Sequence, residues 1–327
     1  MPAELFAKVL QLEARRLAAA PLTGLDTEMT VVRNEYERGK NDPCSLLREE
    51  VYRVALGETS TIGSLSDIQG IMHNAGALRA FFRKYYCPAN ACVVVCGTFD
   101  PDAVLACIDQ HFGHIAAGEC TRDNGTDVVE PILPQRGIRS VDVAGEMPMG
   151  TLSFRAPDGV SREGVVLELL ATWMSSGPAG PFAALLEDPE LHAVDADYAR
   201  TKDVSLFTLW VTPVSGGDAT QRVERLQRAV LQALVGPDSH CLGMTEEVLH
   251  WLKLTVGRGW QQQVNSTSAY AQAVVESFAR CNYPFDVVER HHTLAQLTLA
   301  DVRSAWGKVF VLFRMTLGRV LPELVPH

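Results

Sequence analysis

The sequence predicts an α+β fold assembled from two similar helix-and-sheet units, and three observations carry that prediction. Stretches with a helical period, such as ALRAFFRKYY, alternate with short β-branched runs such as ACVVVCG. The 327 residues exceed one ordinary core and fit two domains of typical size. A gapless internal echo aligns LRAFFRKYYCPANACVVV, from Leu78, with VRSAWGKVFVLFRMTLGR, from Val302. Arg79 then meets Arg303, Lys84 meets Lys308 and Tyr86 meets Phe310, and a helix-to-strand step falls in register, the mark of a duplicated unit.

The elements follow in order. Residues 3–20 read as an amphipathic helix ended by Pro21, and a second helix starts near Asp26 or Thr27, either of which can cap it. A third runs from Pro43 through Val54, with proline at its first turn. After the loop LGETSTIGSLSD, where Ser66 or Asp67 can cap a further turn, comes ALRAFFRKYY, broken by CPAN before the buried strand ACVVVCG. Asp100 and Pro101 open the helix DAVLACIDQHF, which Gly113 closes. Residues 116–137 are rich in Gly, Pro, Asp and Thr without apolar period and read as a linker, dividing the chain into 1–118, 119–137 and 138–327. Beyond it come the strands RSVDVAG and GTLSFRAP, the helix EGVVLELLATWM, the loop SSGPAG, the helix PFAALLED and the strand SLFTLWVTPV. Long helices over 219–235, 245–258 and 264–280, a helix from Asp301 and the strand RMTLGRV complete it.

Composition narrows the function. Hydrophobic residues make up 47% and charged ones 21%, as in a globular chain, and the longest apolar runs are far too short to span a bilayer. The formal charge of −10, with no Lys/Arg-rich block, argues against nucleic-acid partners. No secretion signal opens the sequence, so a cytoplasmic location is expected. The eight cysteines form no CxxC pair; Cys92 and Cys96 flank VVV on one strand face and read as core thiols suited to a reducing compartment.

Most catalytic patterns are missing: no GxSxG elbow, no GxGxxG after a strand, no GxxxxGK[ST]. His111 and His114 straddle a helix end without a glutamate beside them, and the adjacent His291 and His292 diverge on a helix, as surface residues do. What stands out is DTEMTVVRNEYERG. Glu28 and Glu35 lie seven residues apart, two helical turns, so their carboxylates share a face while Val31 and Val32 turn toward a core. Such a pair ordinarily marks a solvated face.

Taken in order, LEARRL, EMTVVRNEYERGKNDP, TIGSLSDIQ, LRAFFRKYYCPANACVVVCGTFDP, EPILPQRGIR, MSSGPAGPFAALL, GMTEEVL and RMTLGRVLP resemble the M16 family of zinc metallopeptidases, especially its short bacterial members. The resemblance implies two M16-type units like those of mitochondrial processing peptidase, each an antiparallel-rich sheet with helices on one face. It also implies peptide-bond hydrolysis at a zinc held by two histidines of an HxxEH helix and a later glutamate. Glu35 matches that glutamate and Glu28 the acidic residue two turns before it. HxxEH, expected roughly 75 residues before the distal glutamate, occurs nowhere in the sequence. The first unit is therefore expected to be incomplete, with no catalytic residue in this chain, Glu35 an orphan zinc ligand, and no zinc held by the chain alone. Ser176, Gly177 and Gly180 match a glycine loop and are candidate peptide contacts, although Pro181-Phe182 stands where the family often has a polar pair. The partners implied are a peptide or protein substrate and an HxxEH-bearing M16 subunit or a second copy. Two functions follow: an inactive portion of a metalloendopeptidase, or a non-catalytic subunit that pairs with an active one and binds peptide.

Overall fold

The structure, a computed structural model, describes residues 3–19, 23–57, 75–116, 137–201, 205–236, 240–281, 283–284 and 286–322. The expected caps at Ser66 or Asp67 and most of the 116–137 linker lie outside them. Among the described residues five helices come first: α1 (Phe6–Ala18), α2 (Leu25–Lys40), α3 (Pro43–Leu56), α4 (Ala75–Tyr85) and α5 (Pro101–Phe112). There follow β1 (Arg139–Ala144), β2 (Met149–Ala156), α6 (Arg162–Met174), β3 (Leu191–Tyr198) and β4 (Ser205–Pro213). The chain continues through α7 (Ala219–Val235), α8 (Glu246–Gln263), α9 (Thr267–Cys281), α10 (Asp286–Gln296) and α11 (Leu299–Val309) to β5 (Met315–Leu321). Among the described residues none of the helices is long and apolar enough to cross a membrane.

Local chemistry sets several boundaries. Asp42 accepts from the Cys44 and Ser45 amides ahead of Pro43, and Asp100 accepts from the Asp102 amide ahead of Pro101, so each caps a helix whose first residue needs no donor. Helix α2 begins differently from expectation. Neither Asp26 nor Thr27 caps it; Gly24, at φ 76°, turns the chain in and its carbonyl accepts from the Thr27 and Glu28 amides. Residues 181–188 form turns with one 3-10 turn, Leu185–Glu187, instead of a helix, because Phe182 is drawn into the core just before β3 begins.

The five strands among the described residues form one sheet in the order β1-β5-β2-β4-β3, with β1–β5 parallel and the other pairs antiparallel. Alternation gives it two different faces. Leu152, Phe154 and Ala156 of β2, Phe207, Leu209 and Val211 of β4, and Met315 of β5 point into the main core, closed over by α6, α7, α8 and α11. The opposite face carries Thr151, Ser153, Thr208, Trp210 and Val320, and it is not left to solvent. Helix α3 lies across it, burying Leu47, Val51, Ala55 and Leu56 against Leu206 and Val320. The Ser153 and Thr208 hydroxyls satisfy each other across the strands at 3.0 Å. At the end of α3, the free carbonyls of Val54 and Ala55 accept from Arg139 and Arg155 of the sheet.

Two expectations fail upstream. Residues 91–96, expected as a buried strand, join no ladder; Cys92 and Val93 are exposed, and the thiols of Cys92 and Cys96 are free but not in a core. Cys87, by contrast, is buried and disulfide-bonded, to a cysteine outside the described side chains.

The duplication is visible as structure. A constant offset of 224 residues places α4, 75–85, on α11, 299–309, and the 3-10 turn Pro88–Asn90 on Leu312–Arg314. The same offset places α3, 43–56, within α9, 267–281, and α2, 25–40, on α8, 246–263, to within a turn.

Gly318 lets α3 approach the sheet: a Cβ there would meet Thr151 Oγ1 and stand 2.8 Å from Val51 Cγ2. We predict that Gly318→Ala costs about 1–3 kcal/mol in urea unfolding and speeds amide exchange in α3, as forced overpacking does. Asp301 closes a capping box with Thr298 at the start of α11. The Arg162 guanidinium, at 2.8 Å, and the Thr298 donors hold its carboxyl far below the usual carboxylate range. A depressed carboxyl stabilises above its unfolded pKa and loses that contribution as pH falls. Asp301→Ala should therefore cost about 1 kcal/mol at pH 7, and its deficit against wild type should shrink below roughly pH 4.

Candidate functional site

Helix α2 carries both sequence-predicted carboxylates. Glu28 and Glu35 are exposed, and so are Val31 and Val32, which were expected to face a core. The second unit shows what that face would ordinarily do. In α8 the matching side buries Leu249, Leu252, Val256 and Trp260 against α6, and Trp260 Nε1 donates to Glu168 Oε1 of α6 at 2.6 Å. Glu28 stands where α8 has the fully buried Leu252, and Glu35 where it has Gly259. The two valines are exposed because, among the described residues, nothing occupies the place that α6 takes in the second unit.

A zinc ion does not fit the residues described. Among them no three His, Cys, Asp or Glu side chains converge as a metal site would require. Glu35 is a lone carboxylate in solvent, and a single monodentate donor does not hold zinc against water.

Ser176, Gly177 and Gly180 lie together in a tight turn after α6, with Gly177–Ala179 a 3-10 turn. Each has a structural task. The Ser176 hydroxyl donates to the Thr172 carbonyl at 2.8 Å, Gly177 takes φ 56°, and a Cβ on Gly180 would stand 2.7 Å from the Trp173 carbonyl.

Sequence reasoning missed a buried ionic cluster. Arg200, just after β3, donates to both Asp286 oxygens at 2.9 and 3.0 Å and to the Gly159 carbonyl, and its Nε lies 3.5 Å from Glu168 Oε2. The Ser277 hydroxyl also reaches Asp286, at 3.4 Å. The cluster lines a cleft of about 600 Å3 that Arg290, stacked over Trp260, helps to wall. It ties α6, α9 and α10 to the sheet through paired charges, the arrangement that lets ions be buried at all. His291, expected at the surface, is half-buried edge-on to Trp260, with Nδ1 2.9 Å from the Val287 carbonyl. No local pattern announces such a cluster, since its members lie up to 118 residues apart in sequence, Glu168 to Asp286.

Comparison with known proteins fits this architecture. A protease from Helicobacter pylori superposes with a TM-score of 0.80 at 17% identity, covering 98% of this chain and 78% of that one. A peptidase M16 inactive domain from Pseudomonas fluorescens gives 0.74 at 15% identity, covering 98% and 75%. The first half of the periplasmic protease PqqL from Escherichia coli gives 0.67 at 17%, covering 98% and 71%. At these identities the likeness is one of fold. No curated protein matches the sequence. The family model described as the peptidase M16 inactive domain matches residues 74–239, half of the 327 residues, and the chain belongs to that family.

Proposed function

We propose that this chain is a non-catalytic M16 polypeptide that works beside an HxxEH-bearing M16 partner, forming part of the wall around a peptide substrate and presenting Glu35 toward the partner's metal site. The observation that carries this reading is the exposed face of α2. Two carboxylates two turns apart stand there, where the second unit has a buried leucine and a glycine. A face meant only for solvent would not also carry Val31 and Val32. A face meant only for an apolar partner helix would not carry glutamates at the positions matching Leu252 and Gly259. In this reading Glu28 supports Glu35 from the preceding turns. The turn at 176–180, whose geometry Ser176 and Gly180 hold, is a candidate peptide contact in that wall.

The chain alone should not cleave an unstructured peptide, with or without added zinc. Mixed with an HxxEH-bearing M16 polypeptide it should support cleavage. In that mixture Glu28→Gln in this chain should lower kcat/KM about 10- to 100-fold, and Glu35→Gln by more. Zinc-dependent cleavage by the isolated chain, or partnered activity indifferent to Glu35→Gln, would contradict the reading.

A further inference from the structure

Helix α3 precedes the 116–137 stretch and the five-stranded sheet follows it, so the contact between them joins the two parts of the chain. Most of that contact is apolar: Leu47, Val51, Ala55 and Leu56 lie on Leu206 and Val320. One stretch of it is not. Two rows of paired residues cross the sheet face beneath α3, the first Gly318, Thr151 and Trp210, the second Thr316, Ser153, Thr208 and Asp197. The neutral hydroxyl residues Thr151, Ser153 and Thr208 therefore stand in the seam, and they are only 1%, 0% and 6% exposed. Between these rows and the helix lies a cavity of about 10 Å3, roofed by Arg48, Val51 and Tyr52 and floored by Thr151, Ser153 and Thr208.

Buried hydroxyls need partners, and these three do not satisfy one another. Ser153 and Thr208 share one hydrogen bond at 3.0 Å, in which one oxygen donates and the other accepts. The accepting hydroxyl keeps a hydrogen of its own to place. Thr151 Oγ1 is buried and has no hydrogen-bond partner among the described residues. It cannot reach Ser153 directly, because the two lie two residues apart on one strand face, about 7 Å along β2, and an O–H···O bond spans about 2.5–3.0 Å. The first row is served from the core side, where Gln227 Nε2 donates to the Thr151 and Gly318 carbonyls at 2.9 and 3.0 Å. The side under α3 is where the deficit lies.

We propose that this cavity binds one water molecule, which bonds Thr151 Oγ1 on one side and the Ser153–Thr208 pair on the other and so mediates the docking of α3 on the sheet. The size fits, since about 10 Å3 is the room that a single water takes. The chemistry fits as well. A buried water makes about three hydrogen bonds to polar groups that would otherwise lack them. Here it accepts the remaining hydrogen of the Ser153–Thr208 pair, and with Thr151 it donates or accepts as the hydroxyl rotates. A metal ion is a poor occupant, because the floor offers neutral hydroxyls and the charged groups nearby, Arg48 and Asp197, are exposed. The water's place follows from the fold alone and does not depend on a partner polypeptide.

The test uses the full chain in solution and water-oxygen magnetic relaxation dispersion, which counts the waters a protein holds for longer than its own tumbling time. Thr151→Val keeps the shape of the side chain and removes its oxygen, and we expect it to lower the count by one relative to wild type. Thr151→Ser restores the oxygen and should restore the count. A crystal structure of the wild-type chain supplies a reading that needs no variant to fold: the water should stand about 2.8 Å from Thr151 Oγ1. An unchanged count in Thr151→Val would overturn the inference. So would a crystal structure in which Thr151 Oγ1 bonds directly to a protein group with no water beside it.

Discussion

The structure depends on the insertion of β5 between β1 and β2. Among the described residues strand β1 has no other neighbour in the sheet, so without β5 it would be detached. The closure is long in sequence: Arg319 of β5 grips Asp142 of β1 at 2.7 and 2.8 Å across 177 residues. Closing so long a loop costs entropy that only the ladder and the packing behind it offset. Those ladders place Met315 in the main core and Val320 under α3, so one strand anchors both faces of the sheet. Gly318, at its centre, admits α3 from the side opposite the main core.

The first unit carries the same helix, the same 3-10 turn and the same seven-residue segment, with the opposite outcome. ACVVVCG has stronger β-formers than MTLGRVL, yet the second sequence is the strand. Strand formation here belongs to the partners and not to the segment. A β-branched run without two neighbours has no ladder to join, and Cys92 and Val93 stay exposed. The same reasoning covers α2, where Val32 is exposed although its match, Val256 of α8, is buried beside α6.

Much of this was legible in the sequence where the signal was local. The helix starts at Pro43 and at Asp100-Pro101, the helix 219–235 and the echo between Leu78 and Val302 were all readable, because proline and capping chemistry and fixed register need no tertiary context. Strand β3 was not readable: His192, Asp195 and Asp197 dilute its pattern because it is an edge strand with one side in water. The docking of α3 was hidden for a related reason. Thr151, Ser153 and Arg155 alternate with core residues and look like a solvated face, but the Ser153 hydroxyl is met by Thr208 and the Arg155 guanidinium by the end of α3. The Arg200 cluster was invisible because its partners converge only after folding. Glu28 and Glu35 were found as a pair by spacing, whereas the exposure of Val31 and Val32 beside them depends on tertiary packing.

The most direct measurement is amide hydrogen exchange on the isolated chain, comparing the two members of the repeat. If β5 is a strand because β1 and β2 enclose it, amides of 315–321 should exchange only at the limit of global unfolding. Those of 91–97 should then exchange orders of magnitude faster. Equal protection of the two segments would contradict the account, since it would mean that the first unit completes its own sheet.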